Sequence, residues 1–321
     1  MLQVTVFWKD FGFFIWLPII ILGIFGNITI IIYFLKFSSN SGRNMCSKMK
    51  KMSTYHFTIV LLAIIDLVVI IFRIPIFFKE NLASIACLFV STGSVIASCW
   101  ILVVLSYERY WGIVHSFNNR KRLKKRLILL ICIIVWIVSI LVLILPTISI
   151  MFSSAGNKTI ADINDSTLIR GIFTFIVQCI LPSMALTFFY WRINNYTKAI
   201  TRQLKLQPMS SDTAAPTTHS SDNSTQHHRN KENNKANKIL RNLVILYSCL
   251  VWPPQFFIVI GRSIIKGNIS LMENNLTLVY VLMRLFELWS IINNVVNVFI
   301  YIIMIRKFRS FLWKIISCGK N

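Results

Sequence analysis

Seven long apolar runs divide the chain, near residues 13–35, 55–78, 85–114, 127–149, 171–193, 239–265 and 277–305. A bilayer core about 30 Å thick is crossed by roughly 20 apolar residues wound as helix. Helices of soluble proteins average only about 11–12 residues. Runs of this length specify an all-α membrane protein, a seven-transmembrane helix bundle, and they use almost the whole chain.

Lysine and arginine set the orientation. Five fall in 36–54, six in 118–126, nine in 191–241 and five in 306–321. The alternate connections hold six: Lys9, Lys79, Lys158, Arg170, Arg262 and Lys266. The positive-inside rule then places the N-terminus outside and the C-terminus in the cytosol. A formal net charge of +23 in a soluble chain would suggest nucleic acid. Its confinement to every second connection makes it a topology signal instead, with attraction to anionic membrane lipid as a second effect. No nucleic-acid partner is expected.

The chain then reads as a short extracellular N-terminus (1–12), a membrane domain (13–305) and a basic amphipathic helix with a cytosolic tail (306–321). A third cytosolic loop, 198–236, is polar and aperiodic, and disorder is expected there. Acceptor sequons at Asn157, Asn164, Asn268 and Asn275 fall on the outer side and are expected to be glycosylated. A further match at Asn27, inside helix 1, shows how readily so short a motif arises by chance. His227-His228 has no third ligand nearby, and the cysteines show no metal-ligand spacing. No internal repeat marks a transporter built from inverted halves.

Ionisable groups within the membrane are costly and are functional candidates by default. Asp66 lies deep in helix 2, Glu108 and Arg109 at the inner end of helix 3, Arg73 in helix 2, and Arg284 and Glu287 in helix 7. Helical spacing aligns Arg284, Glu287, Asn294, Asn297 and Tyr301 on one face, and sets Ser91, Ser98 and Arg109 on one face of helix 3. A hydrated bundle interior follows, able to sense, transport or conduct.

Read in order, these residues resemble a known family. Gly26-Asn27 resembles its helix 1 motif, and Leu62-Ala-Ile-Ile-Asp66 its Leu-x-x-x-Asp. Glu108-Arg109-Tyr110 is similar to the end of its helix 3, and Trp136 stands alone in helix 4. Pro182 with Tyr190 is similar to helix 5, and Trp252-Pro253-Pro254 to the Trp-x-Pro of helix 6. Asn297-Val-Phe-Ile-Tyr301, then Lys307-Phe308-Arg309, resembles Asn-Pro-x-x-Tyr and the eighth helix. The ordered set, one motif per helix across about 13–318, resembles the rhodopsin-like G-protein-coupled receptors.

The resemblance implies a multi-pass plasma-membrane receptor and not an enzyme. An extracellular small molecule or short peptide would bind in the outer half, among Arg73, Ser91, Gln178, Trp252, Arg284 and Glu287. A heterotrimeric G protein, and in turn arrestin, would be its cytosolic partners. Glu108, Arg109, Tyr110, Tyr190, Trp252, Asn297 and Tyr301 would form the signalling switch, with Glu108 pairing to Arg109 at rest and Trp252 a toggle beneath the ligand. Asn27, Asp66, Ser98, Asn293, Asn294 and Asn297 would form either an allosteric sodium site or an ion-free water network. Cys318, after the amphipathic helix, is a palmitoylation candidate.

Some positions depart from the family pattern. Val298 replaces the proline of Asn-Pro-x-x-Tyr, which should straighten helix 7 locally. Ser248, not Phe, stands four residues before Trp252. Cys87 is displaced from the position of the usual outer disulfide, and 147–170 contain no Cys. Ser91 stands where amine receptors carry Asp, and Ile291 where opsins carry the retinal lysine, so neither ligand is expected. A transporter or channel, and a receptor that binds without coupling, are the alternatives.

Overall fold

The computed structural model describes residues 2–37, 52–78, 82–114, 123–153, 171–206, 241–242, 245, 247–257 and 269–317. Among these residues all regular structure is helical. In chain order the helices are α1 (Leu2–Phe37), α2 (Thr54–Phe78), α3 (Leu82–Val114), α4 (Lys125–Ser153) and α5, whose Leu181–Leu206 follows a π-helical turn at Ile176–Ile180. Residues 247–257 form the described part of α6. α7 (Ile269–Met304) and α8 (Arg306–Ile316) complete the order. Among the described residues, four helices are long and apolar enough to cross a membrane, and a fifth span is α7 if it is taken with α8.

α3 is the hub, because it packs against α2, α4 and α5. Burial follows from that position: 67% of the apolar window of α3 is buried, against 28% for α5. The opposite case is α4, whose Leu130, Ile134, Ile137 and Val138 stay exposed. In a bilayer such a face meets acyl chains, and no hydrophobic penalty attaches to it.

Three helix boundaries depart furthest from the apolar runs. α1 begins at Leu2, so the segment 1–12 is largely helical; Val4, Val6, Phe7 and Trp8 continue the apolar character with no proline to stop it. α5 extends to Leu206, which makes 198–206 helix and not disordered loop; residues 207–236 lie outside the described residues. α7 begins at Ile269, so Asn275 sits on helical backbone.

Small residues set the closest approaches. A β-carbon on Gly26 would lie 2.6 Å from a methyl of Val298, and one on Gly23 2.6 Å from Ile70. The valine that replaces the expected proline therefore fills a notch in α1, and α7 runs unbroken through it. The helix ends instead at Ile305, whose extended backbone (φ −108°, ψ 96°) starts α8. The axis turns there by 104°. Phe308 anchors α8, fully buried and edge-on to Tyr33 at 5.1 Å, while Trp313 and Ile316 remain exposed. This is the amphipathic pattern of a helix lying in the membrane interface.

The Gly26–Val298 contact makes a prediction. Gly26→Ala should destabilise the protein by about 1–3 kcal/mol, as overpacking does. Val298→Ala should recover much of that loss in the double variant, read as thermal unfolding in detergent.

Candidate functional site

A carboxylate in hydrocarbon needs strong donors close by. Asp66 of α2 is completely buried and receives two. Ser98 of α3 donates to Oδ1 at 2.8 Å, and Asn297 Nδ2 of α7 donates to Oδ2 at 2.8 Å. Through these two bonds Asp66 ties α2, α3 and α7 together at mid-bundle.

Asn294, one turn above Asn297, is wholly buried, and both polar atoms of its amide are without a hydrogen-bond partner. Asn27 reaches across from α1. Its Nδ2 donates to its own helix at Gly23 (2.9 Å) and at 3.4 Å to the carbonyl of Asn294, while its Oδ1 is unpartnered. The long second bond has a reason in the sequence. In an unbroken α-helix the carbonyl of residue 294 already receives the N–H of residue 298, and Val298 has one where a proline would not. Asn293 is also buried. Of the expected ion or water network, Asp66, Ser98 and Asn297 are joined by hydrogen bonds, and Asn27 reaches the backbone of Asn294, not Asp66.

At the cytosolic end the geometry differs from expectation. Arg109 does not pair with Glu108; its guanidinium lies over the ring of Tyr55, 3.5 Å from the centroid. Adjacent side chains on a helix point about 100° apart, which works against a pair between neighbours. Glu108 is buried. Tyr110 and Tyr190 pack about Ile113 and Ile193, joining α3 to α5. Tyr301 is buried, with its hydroxyl unpartnered.

The α5–α6 seam holds what sequence reasoning missed. Pro182 brings no N–H to the turn that holds the carbonyl of Gln178. The hydroxyl of Tyr247, from α6, donates to that carbonyl instead. The π turn at Ile176–Ile180 immediately precedes the proline. Tyr247 is almost fully buried and also interacts with the Cys99 thiol of α3. Its sequence signal was the aromatic next to Ser248, one place from where the motif puts Phe.

Trp252 belongs to this seam rather than to a pocket floor. It is 37% exposed, donates from Nε1 to Ser183 Oγ at 2.7 Å and sets its ring edge-on to Phe175. Both partners are on α5, and they draw the indole away from the bundle axis. On the outer side Arg73 donates from Nε to Ser91 Oγ at 2.8 Å, so these two ligand candidates meet. Gln178 is buried, with its side-chain oxygen unpartnered. Arg284 and Glu287 lie on the helical backbone of α7, but their side chains fall outside the described residues, as does that of Asn275. Asn157, Asn164, Asn268 and Cys318 lie outside them entirely.

Tyr247→Phe should cost about 1–3 kcal/mol, the penalty for leaving a buried acceptor unsatisfied. The loss should shrink when Pro182→Ala restores the backbone donor, which thermal unfolding of the four variants would show.

The comparison with known proteins agrees with this architecture. No individual curated protein matches the chain. The family model described as 7 transmembrane receptor (rhodopsin family) matches residues 26–301, a stretch that contains Asn27, Asp66, the Glu108-Arg109-Tyr110 end of α3, Pro182, Trp252 and Tyr301. The chain belongs to the rhodopsin family of seven-transmembrane receptors.

Proposed function

We propose that this receptor sits in the plasma membrane, binds an extracellular small molecule or short peptide in the outer half of its bundle and activates a heterotrimeric G protein. The observation that carries this reading is the Asp66–Ser98–Asn297 network, which joins α2, α3 and α7 through one buried carboxylate. A ligand that prefers one arrangement of such a polar junction shifts the population toward it. Arg73, Ser91, Gln178, Arg284 and Glu287 are the ligand candidates. Trp252, on the α5–α6 seam, would report ligand binding through Ser183 and not by direct contact from below.

At the inner end Arg109 is the residue that would meet the G protein once α6 moves outward. Glu108, Tyr110 and Tyr190 would frame it, and Tyr301, with its buried unpartnered hydroxyl, has a donor to spend on the rearranged site. Arrestin would use the same cleft. α8 would rest on the lipid surface through its exposed apolar residues, with Cys318 acylated beside it. Asn157, Asn164, Asn268 and Asn275 remain glycosylation candidates; Asn275 would need the first turns of α7 to open.

The polar core fits a sodium ion. Hard cations take oxygen ligands, and Asp66, Ser98, Asn27 and Asn294 supply oxygens, two of them unpartnered in the folded chain. These residues would hold the ion, which would favour the resting arrangement by neutralising Asp66.

Two measurements test the reading. With surface expression matched, Arg109→Ala should reduce G-protein activation in cells to background across a panel of Gα classes. Signalling, uptake or current that survives the substitution would sink the role of Arg109 and favour a transporter or channel. Sodium at about ten times its Kd should stabilise the purified wild type by about 1.4 kcal/mol relative to potassium, and Asp66→Asn should abolish the difference.

A further inference from the structure

Arg109 is a partly buried cation, and among the described residues no carboxylate pairs with it. Its contact is the face of Tyr55, 3.5 Å from guanidinium carbon to ring centroid. A guanidinium is planar and weakly hydrated, and it stacks on aromatic rings where an ammonium would hold its water. The ring quadrupole attracts it most when both groups are withdrawn from solvent.

The fold invests in the position of that ring. Ser53 caps α2: its carbonyl accepts the N–H of Phe57 at 2.9 Å, and its hydroxyl accepts the N–H of His56 at 3.3 Å. Tyr55 lies in the turn so fixed. Behind it the aromatic series continues, with His56 5.7 Å from Tyr55, Phe34 of α1 5.0 Å from His56 and Tyr33 5.1 Å from Phe34. Tyr33 in turn carries Phe308 of α8. Helix polarity gives no help, since the N-terminus of α2 is the positive end of its dipole and repels a cation. The ring must therefore supply the attraction.

We propose that Tyr55 is the resting seat of Arg109, a positioning residue that holds the arginine against α2 by its π face until the G protein offers better partners. The proposal rests on the coupling reading above, and it assigns the restraint to an aromatic ring and not to an acid. The phenol hydroxyl is dispensable to such a seat, whereas the ring is not.

The test uses the full-length receptor without ligand, in two readouts. In cells with matched surface expression and sensors for each Gα class, Tyr55→Leu should raise basal activation roughly threefold to tenfold, the scale of a partly desolvated cation–π contact. Tyr55→Phe should restore the restraint, and adding Arg109→Ala to Tyr55→Leu should remove the gain. In parallel, thermal unfolding of detergent-solubilised wild type, Y55L, R109A and the double variant reads the contact itself, because contacting residues are non-additive and distant ones add. Non-additive unfolding together with a basal rise in Y55L supports the seat. Additive unfolding overturns it whatever the signalling does. Non-additive unfolding in a signalling receptor whose Y55L variant shows no rise overturns the restraint. Non-additive unfolding with every variant silent leaves the seat standing and removes the coupling reading instead.

Discussion

In hydrocarbon every peptide carbonyl must find its donor within the protein, and the structure of this chain turns on how its prolines meet that demand. Pro182 withholds a backbone donor from the turn that holds the Gln178 carbonyl. A phenol from the next helix replaces it, and the exchange converts a local defect into a contact between α5 and α6. The π turn before it shifts the side chains on the outer part of α5 relative to a regular helix. Cys179 then reaches the carbonyl of Val251, and Ser183 accepts from Trp252. A helix breaker thus specifies a seam, and two aromatic residues of α6 are placed by it.

Asp66 poses the same problem with an acid side chain. A carboxyl group at zero exposure is tolerable only where donors converge, and they come from two other helices. Such a junction is weak evidence of stability, since a buried ionic group often costs as much in desolvation as it returns. Under the proposed function its value would lie in being able to rearrange. The unpartnered amide of Asn294 and the unpartnered hydroxyl of Tyr301 lie on the same inner face of α7, where a second set of partners would be used. At the hub, Trp136 of α4 donates to Ser94 of α3 at 2.9 Å, a contact that is complete as it stands.

Much of this was legible in the sequence because lipid makes polar residues conspicuous. Asp66, Ser98, Asn294 and Asn297 each interrupt an apolar run, and helical spacing sets the two asparagines on one face of α7. The amphipathic α8 could be read from the alternation of Phe308, Phe311 and Leu312 with Lys307 and Arg309. Helix ends were less legible: Leu206 and Ile269 lie where hydropathy has already fallen, and backbone hydrogen bonding continues regardless. The π turn left no trace, because no residue pattern encodes an i→i+5 bond. Tyr55 could not be found either. A cation over a ring is a tertiary fact, and local sequence suggested the adjacent Glu108 as the partner of Arg109.

The meeting of α1 and α7 has a consequence for substitution at 298. Asn27 aims its amide at the carbonyl of Asn294, the very group that a proline at 298 would strip of its helical donor. With valine in place that carbonyl is served by the helix, and the asparagine holds on at the limit of a hydrogen bond. The acceptor therefore has a donor in either genetic background. Exchanging valine for proline at 298 would move the main donor of this carbonyl from the helix to Asn27 without orphaning the group.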